Sequence, residues 1–225
     1  MFEKLFSYRQ IRELERSQTF ASLKSDRDRR GLVPIAVIDD EAFAAQQTLT
    51  NNGYNIKALG DIKTLDEVEP YNIILCDLQG VGRHLDGKNQ GAFLINEIKR
   101  NSPEKFVIAY TGGALSDDIT ARANETADSF LRKDADVQEW RDKLDDYIER
   151  VSNPIIVWRR QRDALVRKNV ATLDILKLED AFVKSVQKRD PEIFGRISGS
   201  YDIKDDARAI AQSLIASGIF KLLVG

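Results

Sequence analysis

The sequence has very little of the chemistry that builds crosslinks and transition-metal sites. Among its 225 residues there is one cysteine, Cys76, and one histidine, His84. A single cysteine excludes a disulfide framework and a cysteine-based zinc site, and it fits a reducing cytoplasm. A single histidine excludes a metal centre built from several histidines. Binding or catalysis must therefore use mainly carboxylates, amines and hydroxyls.

Long apolar runs are missing as well. No run approaches the roughly 20 residues that a membrane-spanning helix needs, and no signal peptide is recognisable. We therefore expect a cytoplasmic protein without a membrane span. Hydrophobic residues make up 42% of the chain and charged residues 31%, which is the composition of an ordinary globular protein.

Charge is distributed unevenly along the chain, although the net charge is only −2. Residues 32–151 carry a net −9, whereas the segments before and after them carry +3 and +4. This division predicts three parts, with an N-terminal helix and linker in 1–31, an acidic domain in 32–152 and a helical segment in 153–225. The flanking segments are too mixed in sign to indicate nucleic-acid binding by charge alone.

From Leu32 onward, short apolar runs alternate with amphipathic stretches. The pattern predicts strands over 33–38, 54–59, 71–76, 106–110 and 129–131. It predicts helices over 41–51, 65–68, 92–100, 116–126 and 137–151, the fourth of them capped by Ser116 or Asp117. Helical crossovers between successive strands imply a parallel sheet that is covered on both faces, so we expect an α/β domain.

Polar side chains follow the predicted strands at the point where each strand ends. Asp39 and Asp40 follow the first strand, Asp77 the third, Thr111 the fourth and Lys133 the fifth. Because the carboxyl ends of parallel strands meet at one edge of the sheet, these side chains are expected to lie close together. Adjacent carboxylates repel each other unless a proton or cation lies between them, and Mg²⁺ suits an all-oxygen site. A carboxylate can also act as a nucleophile that forms an acyl phosphate.

Four short motifs carry a resemblance to a known family. Ile-Asp-Asp-Glu at 38–41, Ile-Ile-Leu-Cys-Asp at 73–77, Tyr-Thr-Gly at 110–112 and Phe-Leu-Arg-Lys at 130–133 resemble the receiver domain of bacterial two-component response regulators. The resemblance covers about residues 32–151 and keeps the order and spacing of the motifs. It implies a flavodoxin-like, doubly wound parallel sheet of five strands in the order 2-1-3-4-5.

The resemblance implies an acceptor and a metal site. Asp77 would be the phosphoacceptor, and the phosphoryl group would come from a histidine kinase or a phosphotransfer protein. Asp39, Asp40 and Asp77 would hold Mg²⁺ together with the backbone carbonyl of Gln79. The chain would form and hydrolyse its own acyl phosphate and would not be an enzyme acting on another substrate.

The resemblance also implies how the phosphoryl group would be sensed. Thr111 would be the switch hydroxyl, Lys133 would pair with the phosphate, and Phe130 would be the aromatic residue that changes rotamer. Two departures affect the same edge of the sheet. The loop over 78–90 is long, rich in glycine and lacks the family's proline, and Asp134 stands where the family usually has a proline after the lysine. Gly91 is best placed to open the following helix.

The remaining segments are predicted to be helical. Residues 2–23 are predicted to form an amphipathic helix, 24–30 a solvated linker, and 155–225 three or four helices at 155–170, 173–186 and 207–223, with a break over 191–201. They contain no helix-turn-helix with a convincing basic recognition helix and no recognisable catalytic constellation. We therefore expect an output or dimerisation segment, with a homodimer as one outcome. Two alternatives stay open: a DNA-binding regulator that uses the C-terminal helices, and a pseudo-receiver scaffold that is never phosphorylated.

Overall fold

The computed structural model describes residues 8–15, 25–112, 118–199, 204–216 and 218–224. The chain divides into two compact units. One unit is Ser25–Val151, and the other joins the described residues of Met1–Lys24 to those of Ser152–Gly225. Residues 25–31 thus group with the sheet, whereas the sequence placed them with the N-terminal segment.

The first unit contains a sheet of five parallel strands in the order β2-β1-β3-β4-β5. The predicted doubly wound α/β fold and its strand order are therefore confirmed. The strands are β1 Pro34–Ile38, β2 Asn55–Ala58, β3 Ile73–Asp77, β4 Phe106–Thr111 and β5 Ser129–Arg132. All five residues of β3 and all six of β4 are buried, as expected for central strands of a sheet with helices on both faces.

Helices surround the sheet and make up the second unit. Those of the first unit are α1 Asp26–Leu32, α2 Gln46–Asn51, α3 Gln90–Asn101, α4 Asp118–Thr126 and α5 Val137–Val151, with a short 3-10 helix Leu65–Val68. Those of the second are α6 Pro154–Arg167, α7 Thr172–Lys188, α8 Pro191–Ser198, α9 Asp205–Ala216 and α10 Ile219–Val224, with a 3-10 helix Ile11–Leu14. Among the described residues, no helix is long and apolar enough to cross a membrane. The predicted cap at Ser116 or Asp117 lies outside the described residues.

The linker predicted over 24–30 is wrong for the residues that can be described, because α1 begins at Asp26. Ser25 caps this helix by accepting a hydrogen bond from the backbone N–H of Asp28 at 3.2 Å. Arg30 then donates from Nε to Asp145 of α5 at 2.8 Å. This contact with α5 helps to hold the helix, and a local charge pattern does not reveal it.

The helix predicted to begin at Glu41 begins five residues later, at Gln46. The backbone N–H of Glu41 donates to the Asp39 side chain at 3.0 Å, which draws this segment toward the end of β1. Phe43 is buried against Tyr110 and Trp140, with ring centroids 5.7 and 5.0 Å away. The segment over 41–45 therefore covers the carboxyl edge of the sheet, where a regular helix was expected.

Most of the amphipathic helix predicted over 2–23 lies outside the described residues. Within 8–15 the chain forms only the 3-10 helix Ile11–Leu14, so an α-helix through this part is wrong. The backbone N–H of Arg9 donates to Asp180 at 3.0 Å, and that of Ile11 donates to Glu179 at 2.8 Å. Side chains of α7 thus take the N–H groups that would otherwise enter a longer helix.

The break predicted over 191–201 is also wrong, because α8 occupies Pro191–Ser198. Proline is favourable at the first position of a helix, and Asp190 caps the helix by accepting from the N–H of Glu192 at 3.0 Å. The single helix predicted over 207–223 is instead two, α9 and α10, separated near Gly218, whose φ of +73° suits a helix end. An aromatic cluster forms the core of this unit, namely Trp158, Phe182, Phe194 and Phe220.

Candidate functional site

The carboxyl ends of the strands bring the predicted site residues together. Asp39 directly follows β1, Asp77 is the last residue of β3, and Thr111 is the last residue of β4. Asp77 lies directly across from Tyr110 on the neighbouring strand, and Thr111 is the next residue of that strand. Lys133 follows β5 and donates its backbone N–H to the carbonyl of Thr111 at 3.0 Å. The sheet therefore assembles at one edge residues that are far apart in sequence.

The ammonium group of Lys133 is the centre of this arrangement. Its Nζ lies 2.7 Å from Oδ2 of Asp77 and 3.2 Å from Oδ2 of Asp39. The carboxylate of Glu41 is farther away, at 3.9 Å. Burial lowers the pKa of Lys133, but the hydrogen bonds and charges of Asp77 and Asp39 outweigh it and hold the pKa above its ordinary value. Lys133 is therefore a charged bridge between two strand ends.

The two carboxylate oxygens of Asp77 have different surroundings. Oδ1 accepts hydrogen bonds from the backbone N–H groups of Leu78, at 2.7 Å, and Gln79, at 3.3 Å. Oδ2 faces Lys133, and the residue is only 2% exposed. Burial raises the pKa of Asp77, and the hydrogen bond from Lys133 opposes that rise. The backbone thus orients one oxygen and leaves the other directed at the lysine.

Three carboxylates at this edge are suited to a divalent cation. Asp39, Asp40 and Asp77 each offer an oxygen, and these atoms all lie within 4.8 Å of one another. Asp39 and Asp77 are buried, whereas Asp40 is exposed and can turn toward solvent. One lysine cannot balance three acids, and an all-oxygen donor set is the kind that Mg²⁺ prefers. The donor set therefore fits the predicted metal. That the backbone carbonyl of Gln79 is a further ligand stays a prediction.

Two glycines allow the loop after β3 to approach the site closely. Gly80 has a φ of +88°, and a Cβ at this position would overlap the carboxylate of Asp40. Gly91, near the start of α3, lies so close to β3 that a Cβ would overlap the backbone carbonyl oxygen of Asp77. These contacts explain why the chain carries glycine here, and α3 begins one residue before the predicted Gly91, at Gln90.

Tyr110 is a residue of the site that the sequence did not single out. Its hydroxyl donates to Oδ2 of Asp39 at 2.7 Å, and the residue is fully buried. The sequence offered one signal, because Tyr110 immediately precedes Thr111 and therefore had to lie near the end of a central strand. An aromatic residue in an apolar strand is usually part of the core, and Tyr110 is also that, since its ring packs against Trp140.

Thr111 and Phe130 lie where the sequence predicted, and their switching roles stay predictions. Thr111 is 1% exposed at the end of β4. Phe130 is half-buried and packs against the apolar cluster that includes Leu94, Ile95 and Ala109.

The long loop over 78–90 has hydrogen bonds of its own. The backbone N–H of Gly82 donates to Asp61 at 2.6 Å, and that of Gly80 donates to the side chain of Gln90 at 2.9 Å. His84 lies in this loop with its side chain 43% exposed and its Nδ1 3.7 Å from Asp61. Cys76 is fully buried, and burial raises the pKa of its thiol, so it is not an activated nucleophile.

Comparison with known proteins finds similar solved structures but no matching family. No protein-family model matches the chain, and no curated protein matches it. A CheY-like response regulator receiver domain protein from Methanospirillum hungatei JF-1 is similar in structure, with 20% identity and a TM-score of 0.43 over 52% of this chain and 94% of that one. The chain resembles a receiver domain over about half its length.

Two further solved structures are similar to the chain. The beryllofluoride-activated NtrC4 receiver domain dimer is 27% identical, with a TM-score of 0.40 over 52% of this chain and 96% of that one. The signal receiver domain of a putative Luxo repressor protein from Vibrio parahaemolyticus is 16% identical, with a TM-score of 0.41 over 60% of this chain and 97% of that one. The chain thus spans nearly the whole length of each of these receiver domains.

Proposed function

We propose that this chain is a response regulator that accepts a phosphoryl group on Asp77 and signals through contacts with other proteins. The observation that supports this most strongly is the 2.7 Å contact between Nζ of Lys133 and Oδ2 of Asp77. It stands at the carboxyl edge of a five-stranded sheet, beside two further carboxylates, and Thr111 is the last residue of the neighbouring strand. The donor would be the phosphohistidine of a kinase or a phosphotransfer protein.

The chemistry follows from the two environments of the Asp77 carboxylate. The backbone N–H groups of Leu78 and Gln79 hold Oδ1, so Oδ2 is the oxygen that is oriented for attack on phosphorus. As the new O–P bond forms, the P–N bond to the donor histidine breaks and its electron pair returns to the imidazole. Lys133 then remains beside the new acyl phosphate and pairs with its negative oxygens.

The divalent cation would be held by Asp39, Asp40 and Asp77, with the backbone carbonyl of Gln79 as a further ligand. When bound, Mg²⁺ would neutralise charge that develops on the transferred phosphoryl group. The phosphoryl group would add nearly two negative charges to the edge of the sheet, and Thr111 would donate a hydrogen bond to it. Phe130 would follow that movement and change the surface that partners recognise.

The helices of the second unit would supply the output, by binding a partner protein or a second copy of the chain. In this proposal the protein works in the cytoplasm, and it acts chemically only on its own acyl phosphate. A DNA-binding output and a scaffold that takes no phosphate stay the alternatives predicted from the sequence. Salt-dependent binding of duplex DNA would favour the first of these alternatives.

The test is phosphorylation by acetyl phosphate in the presence of Mg²⁺, with the product measured by intact-protein mass spectrometry. The wild type should gain one phosphoryl group, and Asp77→Asn should gain none, because the amide is not a nucleophile for this reaction. Asp66→Asn is the matched control, since it makes the same change at an exposed aspartate in the 3-10 helix Leu65–Val68. It should be labelled as the wild type is.

The outcomes separate the proposal from its alternatives. Equal labelling of the wild type and Asp77→Asn would show that Asp77 is not the acceptor. An unlabelled wild type that also failed to bind beryllofluoride with Mg²⁺ would support the scaffold instead. Labelling of the wild type and of Asp66→Asn, with none of Asp77→Asn, would establish Asp77 as the acceptor.

A further inference from the structure

The hydroxyl of Tyr110 makes a contact at the site that the proposed phosphotransfer does not use. It lies at the carboxyl end of β4 and donates to Oδ2 of Asp39 at 2.7 Å. The ring has little freedom, because Trp140 packs against it edge to face at 5.7 Å and Phe43 packs against it at the same distance. The phenol is therefore a donor whose position is set by the core of the domain.

Asp39 is held from three directions. The backbone N–H of Glu41 donates to Oδ1 at 3.0 Å, Tyr110 donates to Oδ2, and Nζ of Lys133 lies 3.2 Å from Oδ2. The residue is 5% exposed, whereas Asp40 beside it is exposed. Of the carboxylates that can hold a cation, Asp39 is thus one whose orientation is fixed before any cation arrives.

We propose that Tyr110 is a positioning residue for the divalent-cation site, in which its hydroxyl orients the carboxylate of Asp39. This inference rests on the proposed function, because it assigns Asp39 to the cation. A phenylalanine would fill the same space and pack against the same rings, so the hydroxyl itself is not needed for the core. A donor that fixes the orientation of a metal-binding carboxylate typically contributes about 10- to 100-fold to metal affinity.

The first measurement is the affinity of the full chain for Mn²⁺ alone, determined from the electron paramagnetic resonance signal of the free ion. Tyr110→Phe should raise the dissociation constant about tenfold over the wild type. Tyr54→Phe is the matched control, because Tyr54 also donates from a buried ring to a carboxylate, Asp145, at 2.8 Å in the same unit. The control should leave the dissociation constant within about twofold of wild type.

The second measurement separates positioning of the cation from the chemistry on Asp77. The rate of phosphorylation by acetyl phosphate is followed as a function of Mg²⁺ concentration. For Tyr110→Phe, the half-saturating Mg²⁺ concentration should rise by about the same factor as the Mn²⁺ dissociation constant. The rate at saturating Mg²⁺ should return to within about twofold of wild type.

Each failure has a distinct meaning. Equal affinity for Mn²⁺ in the wild type and Tyr110→Phe would overturn this inference and leave the proposed function intact. Loss of folded structure in Tyr110→Phe, seen by circular dichroism, would also overturn it, because the hydroxyl would then serve the core. A wild type that bound no Mn²⁺ would overturn the proposed function and this inference together.

Discussion

At the scale of single residues, the approach of Gly91 to β3 limits what this position can hold. A Cβ there would overlap the carbonyl oxygen of Asp77, which is backbone and cannot turn aside. Gly91→Ala should therefore move the start of α3 away from β3, the strand that carries Asp77. We expect the free energy of unfolding to fall by about 2 kcal/mol, the scale of an overpacked core position, as measured by chemical denaturation.

Gly31→Ala is the matched control for that prediction. Gly31 also lies in a helix of the same unit, but its nearest neighbour would be 3.9 Å from a Cβ, which is ordinary contact. Because alanine is the better helix former, this variant should keep or raise the free energy of unfolding, by up to about 1 kcal/mol. Equal destabilisation by both substitutions would show that the contact with Asp77 is not the cause.

The acidic and basic residues of the site could be predicted because each follows an apolar run that reads as a strand. The proximity of Asp39, Asp77 and Lys133 could be predicted from the rule that parallel strands end at a common edge. Tyr110 could not be predicted in the same way. Its role depends on which side chain lies across from its hydroxyl, and that is decided by the packing of β4 beside β3 and β1 and by the rings of Phe43 and Trp140.

At the scale of secondary-structure elements, an ion pair between Arg30 and Asp145 joins α1 to α5. Arg30 pairs with Asp145 of α5, whose carboxylate also accepts from the hydroxyl of Tyr54 at 2.8 Å. Asp145→Asn removes the charge, and we expect the free energy of unfolding to fall by about 1 kcal/mol because the side chain is partly exposed. Asp146→Asn should cost less than about 0.5 kcal/mol, since its pair with Arg150 is more open to solvent.

The same pair has a predictable pH dependence. Burial raises the pKa of Asp145, but the hydrogen bonds from Arg30 and Tyr54 outweigh it and hold the pKa below its ordinary value of 3.8. A carboxyl group whose pKa is lowered in the folded state stabilises the protein at pH values above its pKa in the unfolded state. This stabilisation is lost as the pH falls through its pKa in the folded state. The difference in the free energy of unfolding between wild type and Asp145→Asn should thus be largest near pH 6 and shrink below about pH 4. A constant difference across this range in urea denaturation would contradict the assignment.

The elements differ in how far sequence could predict them. Strands β1, β3 and β4 are largely apolar runs with clear ends, and α5 has the bounds predicted for it, Val137–Val151. The elements that were predicted wrongly depend on contacts with distant parts of the chain or on a residue that is compatible with two structures. Contacts with α5 stabilise α1, and Pro191 can end one helix or begin the next. The 3-10 helix Ile11–Leu14 forms where side chains of α7 bind its backbone.

At the scale of the whole molecule, the two ends of the chain meet in one unit. The 3-10 helix Ile11–Leu14 contributes two buried residues to the unit that holds α6 to α10. Glu179 of α7 links them, because its Oε1 accepts from the N–H of Ile11 at 2.8 Å and its Oε2 accepts from the indole of Trp158 at 2.9 Å. The chain therefore leaves this unit to build the sheet and returns to complete it.

This arrangement predicts that Glu179→Gln weakens the attachment of residues 8–15 to the C-terminal helices. Glutamine keeps the shape but has one acceptor oxygen, so either the N–H of Ile11 or that of Trp158 faces an NH₂ group. Glu179 is only 5% exposed, and an unsatisfied buried donor costs about 1 to 3 kcal/mol. In hydrogen exchange with mass spectrometry, peptides from 8–15 and α7 should exchange faster, while those from β3 keep the wild-type rate.

The control for this prediction is Glu192→Gln, which makes the same substitution at an exposed position of α8. It should leave exchange at 8–15 unchanged. A uniform acceleration that included β3 would mean that the two units unfold together, whereas wild-type exchange throughout would show that Glu179 does not hold the N-terminal segment. If the predicted pattern is found, the helices proposed to carry the output depend for their stability on residues that precede Asp77 by more than sixty positions.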